Sequence, residues 1–200
     1  FSIWYSIKNT KISKIKRIYL TASGGPLLHA SKEKMKKIEF KDVLNHPNWK
    51  MGKKISIDSS TMMNKVFEVI EAKNIFNLKL NKISILIHPK SYVHAIINFN
   101  DGMIKIVAHE TTMKIPIFNS LYNRSDKNYF NKNININFLN NLNLTKVNTK
   151  RFPIVKILKK IPKKISLYET VIVSANDELV RSYLSKKINY NDIYIKLLKI

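Results

Sequence analysis

Residues 46–71 read HPNWKMGKKISIDSSTMMNKVFEVIE, a loop followed by an amphipathic run, and the rest of the chain is organised around them. The loop holds His46, Pro47, Asn48 and Trp49. Ser59 is expected to cap a helix, because a serine oxygen accepts a hydrogen bond from the unsatisfied first-turn amides. At about 100° per residue, Met62, Met63, Val66, Phe67, Val69 and Ile70 share one apolar arc. Asn64, Lys65, Glu68 and Glu71 share the opposite arc. Asn64 and Glu68 are spaced i,i+4, and Lys65 and Glu68 i,i+3, so their side chains are neighbours. An amide, an ammonium and a carboxylate thus converge just after a helix N-terminus suited to anions. A surface helix with a Lys/Glu pair on its wet face gives the same pattern, and periodicity does not separate the two.

On either side of this run lie strand signals. IYLTASGG at 18–25 reads as a short buried strand entering a glycine turn. Gly24-Gly25 let the backbone approach a ligand closely and Ser23 supplies a hydroxyl, although such a string is also an ordinary turn. Residues 31–45 predict a short polar helix or helical turn before His46. ISILIHP at 83–89 is a strand by its β-branched run. YVHAIINF (92–99) and MIKIVAHE (103–110), joined through Asn100-Asp101-Gly102, predict a hairpin. A mixed sheet with helices packed against it follows. The expected class is α/β, an α+β catalytic domain with a mixed sheet, followed by a small, partial C-terminal helical domain. Residues 123–150 are polar and Asn-rich and read as a long connection, whereas 154–160 and 168–186 look helical. The expected division is therefore 1–122, 123–150 and 151–200.

Two hundred residues with 44% hydrophobic content suffice for a core. The absence of cysteine excludes disulfides and thiolate metal sites. No apolar run approaches the roughly 20 residues needed to span a bilayer. No basic leader with a cleavage site is visible, and the absence of an initial Met suggests a start further upstream. The net charge of +23 would suit a polyanion. The cations, however, are mostly scattered lysines; the arginines, favoured for reading phosphates and bases, are Arg17, Arg124, Arg151 and Arg181. A basic nucleic-acid-binding module is kept as an alternative, with AT-rich codon bias as the simpler origin of the charge.

The run MGKKISIDSSTMMNK, preceded by HPNW and followed by a glutamate, closely resembles the 1-deoxy-D-xylulose 5-phosphate reductoisomerase family. TASGGP at 21–26, HPKSYVHAIINFNDG at 88–102 and SANDELV at 174–180 extend the resemblance, in the right order, over most of the chain. It implies an NADPH-dependent rearrangement and reduction of a small phosphorylated sugar, with Mg²⁺ or Mn²⁺, in the non-mevalonate route to isoprenoids. It further implies a homodimer in a bacterial cytoplasm (or a plastid, had a transit peptide preceded this chain), with no membrane and no specific nucleic acid. Strands 83–110 are the candidate dimer face.

On the same resemblance, Ser23, His46, Ser59, Asn64 and Lys65 hold the substrate phosphate. Glu68 touches the substrate and ligates the metal, and Glu68, Lys65 and His46 are the candidate catalytic residues. Gly52 and Met51 meet NADPH, and Trp49 lies on a lid. A plain packing role for Trp49 is the competing reading. His88 and His94 would share a strand face, but they read as hydrogen-bonded core histidines rather than ligands. Asp58 is expected to brace its loop, and Glu71 to stand aside from Glu68. The family's other two metal carboxylates are expected before residue 1, together with a nucleotide-binding domain. The glycines Gly24, Gly25, Gly52 and Gly102 form no G-x-G-x-x-G. Val66 replaces the family's glycine after Asn-Lys, and HETTM at 109–113 departs from a proline-containing, glycine-rich loop. An inactive or split-gene fragment is thus the nearer alternative.

Overall fold

The computed structural model describes residues 1–46, 51–122, 137, 139–164 and 166–200. They form two compact units, each built from two stretches of chain: Phe1–Ser23 with Ser84–Lys146, and Gly24–Ile83 with Val147–Ile200. The helices near the C-terminus therefore share a unit with residues 24–83, a grouping that a division in chain order does not anticipate.

The first unit is a mixed sheet. Its strands are β1 (Ile15–Ala22), β2 (Ile83–Ile87), β3 (Val93–Phe99), β4 (Ile104–Ala108) and the two-residue β5 (Thr145–Lys146), in spatial order β4-β3-β1-β2-β5. β3 pairs antiparallel with both β1 and β4. β1 and β2 start and end together: the Arg17 guanidinium donates to Ser84 Oγ at 3.2 Å, and the His88 amide donates to the Ala22 carbonyl at 2.7 Å. They are thus parallel, which requires the long helical crossover between them. The hairpin expected from Asn100-Asp101-Gly102 is present, with Gly102 at φ +88° and the Asp101 carboxylate accepting from the Met103 amide. Ile15, Ile18, Val93 and Ile97 are fully buried, each worth about 1.5–3 kcal/mol relative to exposure. Helix α1 (Ser2–Ile7) adds Ile3 and Ile7 to this core. β4 is an edge strand whose Met103, Ile104 and Ile106 are exposed nearby or along it.

The second unit is helical. α2 (Lys32–Lys36) begins at Ser31, whose Oγ accepts from the Lys34 amide. α3 (Phe40–Leu44) begins in a Glu39/Asp42 capping box. Then come α4 (Lys53–Thr61) and α5 (Met63–Ile75), while α6 (Lys114–Leu121) belongs to the sheet unit. A 3-10 segment Pro153–Lys159, α7 (Tyr168–Leu184) and α8 (Tyr190–Leu197) complete the helical unit. Ile57, Met63, Val66, Ile154, Ile172 and Ile193 lie at its centre, all fully buried. Val66, bulkier than the family's glycine, is absorbed by that core.

Two expectations for this region are corrected. Ser59 is not an N-cap: α4 starts seven residues earlier, at Gly52, and Ser59 lies in its last turn. The hydroxyls of Ser56, Ser60 and Thr61 donate back to Gly52 and Ile57 carbonyls inside the helix instead of opening a new one. Lys65 is not on a wet face either; it is buried, as is Lys73, because α5 is covered on more than its apolar arc.

Candidate active site

The site is built around a helix break. Residues 53–75 contain neither glycine nor proline, yet α4 and α5 are separated by Met62 in the left-handed region, at φ 70° and ψ 13°. For a non-glycine residue this costs about 1–2 kcal/mol, so packing must impose it. Met62 is itself fully buried, and its amide donates to the Ser59 carbonyl at 3.2 Å. Thr61 Oγ1 accepts from the Met63 amide and so caps the start of α5.

Asn64, Lys65 and Glu68 occupy the first turns of α5, as expected. The Lys65 ammonium donates to both carboxylate oxygens of Glu68, at 2.9 and 2.8 Å. The pair is lopsided, with the Lys65 side chain 10% exposed and that of Glu68 42%. A buried cation is thus neutralised by a carboxylate that solvent reaches. Asn64 Oδ1 is buried without a hydrogen-bond partner among the described residues. One turn before the break, Ser59 is buried too, and the Gly25 backbone lies against it. A Cβ on Gly25 would sit 2.7 Å from the Ser59 carbonyl oxygen, and Gly25 has φ +65°. Only glycine fits there, which gives the SGGP turn a packing reason.

His46 follows α3 in the same unit, and burial pushes its imidazole below the ordinary 6.5. Its ring is therefore neutral near pH 7, with one N–H to donate. Met51 is half-buried and Gly52 is exposed at the head of α4. Gly52 has φ −65°, and a Cβ there would meet nothing within 4 Å, so neither backbone conformation nor internal packing requires a glycine. Trp49 lies outside the described residues. Ser23 ends the first stretch of the sheet unit, directly after β1, and is half-buried. Glu71 is exposed on α5.

Both histidines bind backbone, as expected, but they share no strand face: His88 follows the end of β2, whereas His94 lies in β3. His88 Nδ1 lies 2.5 Å from the Leu142 carbonyl and His94 Nε2 3.1 Å from that of His109. Carbonyls accept only, so each of these nitrogens carries its proton. Among the described residues no three His, Cys, Asp or Glu side chains gather into a metal-binding group. Glu68 alone does not make a metal centre.

Sequence reading missed the polar contacts that secure the break. Asp58, expected as a brace, is one: its Oδ1 accepts from Asn176 Nδ2 at 2.9 Å and its Oδ2 from Lys54 at 2.8 Å. The Tyr190 hydroxyl donates to Ser60 Oγ at 3.0 Å. The available signal was an asparagine inside SANDELV, in a helix where asparagine has no local use.

The fold is shared with solved reductoisomerases. One structure of DOX-P reductoisomerase, in complex with NADPH, fosmidomycin and magnesium, matches with a TM-score of 0.85 and 34% identity over 92% of this chain and 45% of that one. The Zymomonas mobilis 1-deoxy-D-xylulose 5-phosphate reductoisomerase, in complex with NADPH, matches at 0.83 and 32% over 94% and 48%. A family model for the 1-deoxy-D-xylulose 5-phosphate reductoisomerase C-terminal domain matches residues 1–76, and one for the DXP reductoisomerase C-terminal domain matches residues 109–199. The chain belongs to the 1-deoxy-D-xylulose 5-phosphate reductoisomerase family. The Pelagibacter ubique (strain HTCC1062) reductoisomerase is 56% identical over the whole chain and 52% of its own length, and that of Aquifex aeolicus (strain VF5) 36% over 96% and 50%. The chain thus spans about half the length of these curated relatives.

Proposed function

We propose that this chain is the substrate-binding half of an enzyme that rearranges 1-deoxy-D-xylulose 5-phosphate and reduces it with NADPH to 2-C-methyl-D-erythritol 4-phosphate. The observation that carries this reading is the α5 cluster beside a strained break: a buried Lys65 cation, a solvent-reachable Glu68 counter-ion and Asn64 Oδ1, which has no hydrogen-bond partner among the described residues. Structures in this family hold NADPH, fosmidomycin and magnesium.

In this reading Ser23, His46, Ser59, Asn64 and Lys65 surround the substrate phosphate with hydroxyl, ring N–H, amide and ammonium donors. The Lys65 charge acts from a desolvated position, where its pull on a dianion exceeds that in water. An arriving phosphate competes with Glu68 for Lys65, and the displaced carboxylate turns to the substrate oxygens. Glu68 would supply one ligand to Mg²⁺ or Mn²⁺, which favour carboxylate oxygen. The described residues do not complete such a site. Gly52 leaves open space at the head of α4 for a contact with NADPH, with Met51 beside it. When bound, the nicotinamide supplies the hydride. Trp49 is assigned to a lid that excludes water.

Two copies would pair through strands 83–110, where the exposed apolar residues near and along β4 support an edge contact. The relatives named above are bacterial, and the cytoplasm is the proposed compartment. Neither a membrane nor a specific nucleic acid is part of this reading; no described helix is long and apolar enough to cross a bilayer.

The test is NADPH oxidation by the full native polypeptide with 1-deoxy-D-xylulose 5-phosphate, with and without Mg²⁺ or Mn²⁺. Metal-dependent turnover supports the reading. No turnover with either metal would make this an inactive fragment of the family.

A further inference from the structure

We propose that Asn176 and Tyr190, on the helices near the C-terminus, are positioning residues that hold the last turn of α4 at the Met62 break. They would thereby set where Ser59 stands relative to Asn64 and Lys65; this rests on the reading of those three as phosphate-binding.

No glycine or proline breaks the helix at Met62. The Thr61 hydroxyl on the Met63 amide is the local contact there, and the α4 terminus is also gripped from outside. On the α4 side the grip falls on the two neighbours of Ser59. Asp58 receives the Asn176 amide at 2.9 Å, and Ser60 receives the Tyr190 hydroxyl at 3.0 Å. Both donors are buried, Asn176 wholly so. Asn176 Oδ1 has no hydrogen-bond partner among the described residues. An apolar side chain would avoid that unpaired oxygen, so stability alone is a poor reason for an asparagine here. Burial pushes the Tyr190 phenol far above its ordinary range, so it stays protonated and remains a donor.

The contacts are directional, unlike the apolar packing around them. Two hydrogen bonds from separate helices, one on each side of residue 59, fix both the position and the rotation of the α4 terminus. The Ser60 hydroxyl passes the constraint on by donating to the Ile57 carbonyl at 2.7 Å.

The test uses the full native polypeptide with ¹³C-methyl-labelled methionine. Asn176→Ala and Tyr190→Phe are measured, and Asn176→Ala is compared with the exchange Asp58→Asn/Asn176→Asp, which keeps that hydrogen bond with donor and acceptor reversed while giving up the Asp58–Lys54 ion pair. Inorganic phosphate is the probe. Loss of either contact is expected to raise the phosphate Kd about tenfold, the equivalent of one buried hydrogen bond. It should also shift the Met62 and Met63 methyl resonances, and the exchange should bring both back toward wild type. Phosphate affinity and methyl shifts that stay at wild-type values in both single variants, with only the melting temperature lowered, would overturn the proposal. If the wild-type protein itself fails to bind phosphate, the site reading falls and the methyl resonances decide alone. Movement in Asn176→Ala that is reversed in the exchange then supports the clamp, and no movement overturns it.

Discussion

Lys73 on α5 donates to Glu169 at the head of α7 across 2.5 Å, with both side chains almost wholly buried. The second Glu169 oxygen accepts from Ser166 Oγ at 2.7 Å. Taking two charges out of water is costly, and only their mutual contact and the added hydroxyl offset it.

Lys73→Met or Glu169→Gln should therefore destabilise the helical unit strongly, by about 3–5 kcal/mol, because each leaves a buried group without its partner. The double variant Lys73→Met/Glu169→Leu should be far milder than the sum. Urea denaturation of all three decides it. Single variants no more harmful than the double would show that the pair is not desolvated as described.

The glycines separate by their surroundings. Gly25→Ala should cost more than about 2 kcal/mol, since a left-handed backbone for alanine adds to a backbone clash at the Ser59 carbonyl. Gly102→Ala has the positive φ without the clash and should cost about 1–2 kcal/mol. Gly52→Ser should leave stability within a few tenths of a kcal/mol, as serine is an equally good N-cap. In the native enzyme the same change should raise the KM for NADPH. An unchanged KM would remove Gly52 from the cofactor contact.

Lys65→Ala should raise the KM for the phosphorylated substrate by more than tenfold, through loss of a charge-assisted contact. Glu68→Ala should instead abolish metal-dependent turnover. Steady-state kinetics on the native polypeptide separate the two. Near-normal rates in Glu68→Ala would withdraw its assignment as a ligand.

Acid should weaken the fold early. Burial lowers the imidazoles of His46, His88 and His109 below 6.5. The unfolded chain then binds more protons at mildly acidic pH, so this stability is complete above the ordinary imidazole value and declines as pH falls through it. Glu169 acts in the same sense further down: burial would raise its carboxyl, but Lys73 and Ser166 hold it below 4.5. Melting temperatures should be level from about pH 8 to 7 and fall steadily below about 6.5. A level profile down to about pH 5.5 would contradict this.

How far the sequence could be read depended on the range of the interactions. The hairpin at 93–108 and the apolar arc of Met62, Met63, Val66, Val69 and Ile70 were visible, because turn chemistry and periodicity are local. Ser59 misled because serine, threonine and aspartate in a row look like a cap, and only the finished helix shows the Ser60 and Thr61 hydroxyls turned back on Ile57. Lys65 looked solvated because its charge is visible in sequence and its burial is not. Asn176 and Tyr190 act over 118 and 130 positions, beyond any pattern in a single chain. The family motifs drew attention to Asn64, Lys65 and Glu68, but not to the contacts that place them.

Because the helical unit is made from Gly24–Ile83 and Val147–Ile200, the chain must leave it and return before it is whole. A premature stop codon between residues 66 and 146 would spare every one of the proposed phosphate-binding residues, yet remove Glu169, Asn176 and Tyr190 together. A nascent chain on the ribosome stands in the same position. Its Lys65 is synthesised well before residues 147–200 and acquires its setting only once they have emerged. For a gene of this kind, damage to the codons of residues 147–200 is as serious as damage to the codons of the site.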